Sequence, residues 1–448
     1  MRPRETARRL LGLTAGLTVA VVTVAGCNGT SQGGSTQGQG GKGAAHGAID
    51  YAWWGGASRN EKTNAVISLY KKAHPKVKID GQSSDFDAYW EKLNVEAAGK
   101  NLPCVPQMQA RELNDYTKRH TLMPLDKMVK SGAIDVSGIP KNVLDTGRGT
   151  DGKLYMIPYG AAYDGIMYNK TIVTKAGLPT PPTNFTWDWY TNWLTQAKAK
   201  LPKGVAASNL DGGNADVFIS YTQSQGASLF KGDKLGFSKS MLAAYWNMWE
   251  KLRKSGATIS AAAQADQGTD TPLEQSFMAQ GKVMSATTPG NALEDAQNAI
   301  NGVKGGKLAI TTHPFGSSGL GNVLITSGLS ISANCENVPT AASFINFFTN
   351  DAKGAHAFSS DNGAVTVTKL LDAQINDPKT TPEKKEELEV YNEIVDHKAP
   401  VIVYPSGYTS VFVDAYTRAY QDISFGRKTV AQAVDSFFKE ADADLQQG

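Results

Sequence analysis

Short apolar segments alternate with amphipathic segments along the chain after residue 48. Residues 49–54 (Ile-Asp-Tyr-Ala-Trp-Trp) predict a strand, and the spacing of apolar residues over 61–73 predicts a helix. A second strand is predicted at 77–79, a second helix at 87–99 and a third strand at 105–108. This alternation is typical of parallel βαβ units, so the predicted fold class is α/β.

The ends of these predicted strands are the places to look for a ligand. In an open parallel sheet, ligands bind beyond the carboxyl ends of the strands. The corresponding loops are 53–59, 83–90 and 108–111, and all three are rich in aromatic and polar residues. The sequence therefore predicts a binding site built from these loops.

The N-terminus has the features of an export signal. Four Arg residues precede a mostly apolar run that is short for a spanning helix and ends in Val24-Ala25-Gly26-Cys27. Residues 1–26 are therefore predicted to be a cleaved signal peptide. The tetrapeptide resembles the bacterial lipobox, which implies a diacylglyceryl anchor on Cys27 and a protein held at the outer face of the cell membrane. Simple secretion is the alternative, and Arg8-Arg9 leaves open whether export is general or twin-arginine.

A polar segment follows Cys27. Residues 28–47 are mainly Gly, Ser, Gln and Thr, so 27–47 is predicted to be a flexible tether. The chain has a formal charge of +3, and the signal peptide alone holds four Arg and one Glu, so the mature protein is close to neutral. No cluster of Lys and Arg with interleaved aromatics follows, which argues against nucleic-acid binding.

The remaining chain is long enough for two domains with substantial cores, and it contains no further apolar run that could cross a bilayer. Two cysteines, Cys104 and Cys335, lie far apart, and spacing alone leaves open whether they pair. The nucleophile-elbow, zinc-protease and phosphate-loop motifs are missing from the sequence. A glycosidase stays possible, because two carboxylates at the right separation suffice for it.

Several motifs in order resemble one protein family. Residues 157–160 (Ile-Pro-Tyr-Gly) and 165–170 (Gly-Ile-Met-Tyr-Asn-Lys) are similar to the signature of family 1 extracellular solute-binding proteins. Further similar stretches are 328–348 and 426–434. The resemblance covers about 49–438.

The family implies a two-lobed periplasmic-binding-protein fold of class II type, each lobe a sheet flanked by helices, with hinge segments between them. The expected boundaries are 48–162 with 312–362 for lobe 1, and 163–311 with 363–448 for lobe 2.

The resemblance also implies a function without catalysis. The chain is expected to be a monomer that captures a carbohydrate for an ABC importer and delivers it to the permease transmembrane subunits, without cofactor or metal. A peptide or phosphate ester remains an alternative ligand. Arg59 and Arg111 are the only Arg residues in the candidate loops, against several acids and aromatics, so a neutral polyol is favoured over an anion.

A sugar presents hydroxyl groups and an apolar C–H face, so its site needs carboxylates or amides beside aromatic rings. Alternation along the first strand makes either Trp53 or Trp54 face the cleft, and Trp54 is favoured. The candidate ligand-binding residues are Trp54, Arg59, Asp85, Tyr89, Trp90, Gln109, Tyr163, Asp164, Asp216, Asn291, Tyr404 and Tyr408.

Several of these candidates have a purely structural alternative. Asp85 precedes a predicted helix, so it either caps that helix or contacts ligand, and Arg59 either binds ligand or pairs with Asp85. The loop 211–216 is either a ligand contact or a plain turn. Five further tryptophans lie on two predicted helices and are predicted to pack in the core: Trp187, Trp189, Trp193, Trp246 and Trp249. Thr186 is predicted to cap the first of these helices.

Overall fold

The computed structural model describes residues 43–232, 234–267 and 273–445. The predicted signal peptide, the predicted lipid anchor at Cys27 and most of the predicted tether lie outside the described residues. Where the tether is described, its expected end at residue 47 is wrong. The backbone N–H of His46 donates to Thr340 Oγ1 (3.0 Å), and the same hydroxyl donates to the His46 carbonyl (2.8 Å). These bonds fix the chain to the folded body before the first strand begins.

Two sheets organise the fold, which confirms the predicted two-lobed α/β class. The first has six strands in the order β10-β4-β9-β3-β1-β2, and the second has four in the order β6-β7-β5-β8. We call the first sheet with its helices lobe 1, and the second lobe 2. The strands are β1 (Gly47–Trp54), β2 (Val77–Ser84), β3 (Val105–Gln109), β4 (Ile157–Ala162), β5 (Asp164–Asn169), β6 (Ala206–Ser208), β7 (Val283–Pro289), β8 (Leu308–Thr311), β9 (Ile325–Leu329) and β10 (Ala364–Val365).

Helices cover the sheets, and among the described residues none is long and apolar enough to cross a membrane. Thr186 accepts a hydrogen bond from the Trp189 N–H (3.2 Å), which confirms the predicted cap. The helices are α1 (Ala57–Ala73), α2 (Phe86–Ala98), α3 (Leu113–Lys118), α4 (Asp126–Ser131), α5 (Lys141–Leu144), α6 (Lys170–Lys175), α7 (Trp187–Lys200), α8 (Ala215–Ser224), α9 (Lys239–Ser255), α10 (Ala261–Asp266), α11 (Leu293–Val303), α12 (Val338–Asn350), α13 (Ala352–Phe358), α14 (Thr368–Ile375), α15 (Pro382–Asp396), α16 (Ala415–Ser424) and α17 (Val430–Leu445).

The chain passes between the sheets at three places. The first lies between β4 and β5, the second between β8 and β9, and the third after β10. The third differs from the expected boundary at 362, because Ala364 and Val365 pair with β4 and extend the sheet of lobe 1. Gly160 on β4 permits this approach: a Cβ there would lie 2.6 Å from the carbonyl oxygen of Asn362.

The tryptophans of the helices lie in the core, as predicted. Four of them are at most 5% exposed and belong to one hydrophobic cluster: Trp187, Trp193, Trp246 and Trp249. Trp189 is partly buried and packs against the same cluster. These large side chains supply much of the apolar area that stabilises this lobe.

A disulfide bond joins Cys104 and Cys335, whose Cα atoms are 4.5 Å apart. It links the residue before β3 to the segment after β9, two neighbouring strands of the same sheet. The question that spacing left open is thus answered by the fold, which brings together residues 231 positions apart.

Candidate functional site

The site forms where strands from both sheets end. Arg111 follows β3 of lobe 1, and its side chain reaches α8 of lobe 2, where Nη2 forms an ion pair with Asp216 Oδ1. Asp164 begins β5, and Asp211 follows β6. The strand ends therefore bring one guanidinium and three carboxyl groups together between the lobes, as expected for open α/β sheets.

The segment 404–409 covers this group and is held by residues near α3. Asn114 Nδ2 donates to the Tyr404 carbonyl (2.7 Å), and Asp115 Oδ1 accepts from the backbone N–H of Gly407 (2.8 Å). Thr409 Oγ1 donates to Glu112 Oε1 (2.8 Å). The rings of Tyr404 and Tyr408 lie 4.5 Å apart, and both residues are only 1% exposed.

We call Arg111, Asp164, Asp211, Asp216, Tyr404 and Tyr408 the Arg111 cluster. Three of its polar atoms are buried without a hydrogen-bond partner among the described residues: Arg111 Nε and the hydroxyls of Tyr404 and Tyr408. A buried polar group without a partner costs about 1–3 kcal/mol, so such atoms need an explanation. Their presence together between two lobes indicates a place for a polar ligand.

Electrostatics in the cluster are set by burial and by the excess of acids. Burial raises the pKa of Asp164 to about 8, with the neighbouring Asp216 carboxyl adding to the effect and Arg111 opposing it. Burial also raises the pKa of Asp211 to about 6, against the hydrogen bond that its Oδ2 accepts from the Thr287 N–H (3.3 Å). Burial would lower the pKa of Arg111, but Asp216 and the other acids raise it above its usual value. Asp164 therefore keeps its own proton near neutral pH, beside the Asp216 carboxyl group.

The raised pKa of Asp164 predicts a pH-dependent stability. The folded state holds the proton more tightly than the unfolded chain, whose Asp pKa is about 3.9. Stability is therefore fully present below about pH 4 and is lost as pH rises through about 8. The side chain in Asp164→Asn cannot ionise, so the variant does not lose this stability at high pH. We expect the melting temperature of the variant minus that of the native chain to be at least about 2 °C larger at pH 8.5 than at pH 4.5.

Differential scanning calorimetry at the two pH values checks this expectation. The matched control is Asp435→Asn, because Asp435 is exposed and paired only with the exposed Lys239. An Asp164→Asn difference that is the same at both pH values would show that Asp164 carries no buried proton.

The aromatic residues near the end of β1 lie differently from the prediction. Trp53 and Trp54 do point into different clusters, as alternation requires, but Trp54 is only 4% exposed. Its ring is covered by Phe86 (5.7 Å between centroids), Tyr89 (5.4 Å) and Trp90 (5.3 Å). A ligand contact of Trp54 therefore stays a prediction, and in this structure three rings cover its side chain.

Phe86 is the exposed member of this aromatic group. It is 44% exposed, whereas Trp90 is partly buried and its Nε1 lacks a hydrogen-bond partner within the described part of the chain. Phe86 was not among the predicted ligand residues, although it stands directly after the predicted Asp85. The exposed ring makes Phe86 the better candidate for a sugar-facing surface, whereas Nε1 of Trp90 is buried.

Two predicted ligand-binding tyrosines have structural roles instead. The Tyr89 hydroxyl donates to the Gln107 carbonyl (2.7 Å), and the Tyr163 hydroxyl donates to the Glu387 carbonyl (3.0 Å). Both residues are at most 3% exposed. Gln109 ends β3 and pairs with β9, partly exposed and close to Arg111 in the chain.

Asp85 and Arg59 do not interact with each other. Asp85 is exposed at the N-terminus of α2, and its side chain makes no capping hydrogen bond. Arg59 Nε donates to Asp361 Oδ2 (2.6 Å), and Lys62 Nζ contacts the other oxygen of the same carboxylate (2.6 Å). The partner of Arg59 is therefore Asp361, because the fold packs α1 against the segment after α13.

Arg59 and Asn291 line a separate cavity of about 700 Å³, together with Lys62, Glu294, Asp361 and Thr381. Four of its charged groups already have partners: Arg59 and Lys62 bind Asp361, and Glu294 Oε1 accepts from the Thr381 hydroxyl (2.8 Å). The Arg111 cluster has buried polar atoms that lack partners among the described residues, so it is the stronger candidate for the binding site.

A family model described as bacterial extracellular solute-binding protein matches residues 65–386. A curated binding protein of Brucella abortus (strain 2308) is 25% identical over 333 residues, which is 70% of this chain and 75% of that protein.

Solved structures agree with this match. A family 1 extracellular solute-binding protein from Alicyclobacillus acidocaldarius superposes with a TM-score of 0.72 at 25% identity, over 90% of this chain and 100% of the other. A periplasmic oligogalacturonide-binding protein from Yersinia enterocolitica, in complex with saturated digalacturonic acid, superposes with a TM-score of 0.73 at 20% identity, over 89% and 99%.

Proposed function

Because this chain belongs to the bacterial extracellular solute-binding proteins, we propose that it is the substrate-binding subunit of an ABC sugar importer. It captures a carbohydrate between its two lobes and delivers it to the permease subunits. The observation that carries this proposal is the Arg111 cluster, in which buried hydroxyl and guanidinium atoms lack partners between the lobes. A sugar hydroxyl both donates and accepts, so it can satisfy such atoms.

The mechanism is hinge closure without covalent chemistry. Three of the contacts described above join groups on opposite sides of the cleft: Arg111 with Asp216, Asp115 with Gly407, and Glu112 with Thr409. These contacts form only when the lobes approach each other. A ligand that touches both sides adds contacts that the open form lacks, so it shifts the population towards the closed form.

The membrane attachment rests on the sequence alone. The tetrapeptide ending in Cys27 supports a lipid anchor, and the polar segment after it supports a tether that lets the folded body reach the permease. The chain is proposed to act as a monomer at the outer face of the cell membrane.

The competing functions fit the cluster less well. A phosphate ester needs several Arg or Lys, whereas the cluster holds three carboxyl groups and one guanidinium. A glycosidase needs two carboxyl groups roughly 5–9 Å apart across the scissile bond. The carboxyl groups of Asp164 and Asp216 instead adjoin closely enough to interact through a side-chain hydrogen bond, which is too close for that role.

A thermal-shift screen of the chain from residue 28 onwards tests the proposal. A ligand that binds only the folded state raises stability by about 2.7 kcal/mol at one hundred times its dissociation constant. We expect a clear rise with one family of mono- or oligosaccharides, and mass spectrometry should recover the sugar unaltered. A rise with peptides alone would contradict the proposal, and a consumed sugar would indicate a glycosidase.

Phe86 provides a second test of sugar binding. Phe86→Ala removes an exposed ring beside Trp90, so we expect the affinity for the sugar to fall by about 1 kcal/mol, measured by isothermal titration calorimetry. Phe425→Ala is the matched control, since Phe425 is 45% exposed and follows α16. Equal affinities of the two variants would remove Phe86 from the site.

A further inference from the structure

The charges of the Arg111 cluster do not balance. Arg111 is engaged by Asp216, and Asp211 accepts a backbone hydrogen bond from Thr287. Asp164 forms no ion pair with any described residue, although it is partly buried and has Asp211, Asp216 and Arg111 as its charged neighbours. The cluster is therefore short of positive charge at Asp164.

In the ligand-free protein a proton fills this deficit. Burial and the adjacent Asp216 carboxyl raise the pKa of Asp164 to about 8, so Asp164 keeps its proton at neutral pH. A carboxyl group retains this proton because a second carboxyl group lies beside it. A cation can replace the proton, since its positive charge stabilises the ionised form.

The remaining walls of the cluster suit an ammonium group. Tyr404 and Tyr408 are almost fully buried, and their hydroxyl oxygens have no hydrogen-bond partner among the residues that the structure describes. Burial raises the pKa of both hydroxyls, so they remain neutral and can accept hydrogen bonds. An N–H group would satisfy these oxygens, and an aromatic ring face also attracts a cation.

We propose that the carbohydrate bound by this chain carries a basic nitrogen, and that its ammonium group lies beside the Asp164 carboxylate under Tyr404 and Tyr408. This inference rests on the proposed carbohydrate-binding function and narrows its substrate class to amino sugars or oligosaccharides that contain one. A neutral sugar lacks the positive charge that the Asp164 carboxylate needs, so it leaves the proton in place and binds less tightly.

Calorimetric titration with matched pairs of sugars tests this inference. The probes are glucosamine, galactosamine and β-1,4-linked glucosamine oligomers, each against its N-acetylated neutral counterpart, at about pH 6.5 where the amine is protonated. We expect the amino form of the preferred sugar to bind at least about tenfold more tightly. Its binding should also release a proton, visible as an apparent enthalpy that changes with the ionisation enthalpy of the buffer.

The outcomes separate this inference from the function on which it rests. Equal or tighter binding of the neutral forms would overturn the amino-sugar inference and leave a carbohydrate receptor. The absence of binding by amino and neutral sugars alike, there and in the wider thermal-shift screen, would overturn both.

A variant locates the preference at Asp164. Asp164→Asn keeps the shape of the side chain but loses its charge, so the preference for the amino form is expected to fall to about onefold, while Asp435→Asn keeps it. An undiminished preference in Asp164→Asn would overturn the assignment of the ammonium to this carboxylate.

Discussion

Arg111→Met is expected to weaken carbohydrate binding by about 2–5 kcal/mol, because it removes one partner of a partly buried ion pair and leaves three carboxyl groups without a cation. The side chain of Arg111 is 19% exposed and bridges the lobes through Asp216, so the loss affects both closure and ligand contact. Isothermal titration calorimetry with the native ligand measures the change in affinity.

Arg418→Met is the matched control for this substitution. Arg418 pairs with Glu440 on the surface of lobe 2, and its side chain is 58% exposed. Exposed ion pairs contribute little, so we expect native affinity. If Arg111→Met bound the ligand as the native chain does, the binding site would not include the Arg111 cluster.

The largest expected effect on stability comes from the disulfide. Replacing both Cys104 and Cys335 by Ala is expected to lower the free energy of unfolding by roughly 2–5 kcal/mol. The bond closes a loop between residues 231 positions apart, so its loss gives the unfolded chain much additional freedom. Guanidinium unfolding of both proteins, with the native chain also measured under reducing conditions, checks this expectation.

The reduced native chain and the double variant should lose similar stability. Unchanged unfolding in both would mean that the two thiols are not paired in solution. A bond of this kind also agrees with export, since disulfides persist in oxidising compartments.

Much of the fold follows from local patterns in the sequence. The alternation of residues 49–54 with the helical spacing that follows predicts β1 and α1, and the capping hydroxyl of Thr186 marks the beginning of α7. These features depend on neighbours in the chain, so they are visible without tertiary structure. The two-lobed arrangement came from the family motifs, since local periodicity cannot show which strands share a sheet.

The site was less predictable because its contacts join distant residues. Arg59 pairs with a carboxylate 302 residues away, and Arg111 with one 105 residues away. Trp54 lies at the end of β1 as predicted, yet the rings that cover it come from α2, which follows the neighbouring strand β2. The sequence predicts Asp164, Asp216, Tyr404 and Tyr408 as ligand contacts, and the fold brings them together in the cluster. Arg111 lies in a candidate loop, but nothing in the sequence distinguishes its side chain as a ligand contact.

The crystal structure of this chain with the carbohydrate that gives the largest thermal shift tests the central claim most directly. The account predicts sugar atoms within hydrogen-bond distance of Arg111 Nε and of the hydroxyls of Tyr404 and Tyr408. A sugar bound instead in the cavity beside Arg59 and Asn291, with the Arg111 cluster unchanged, would contradict the proposed site.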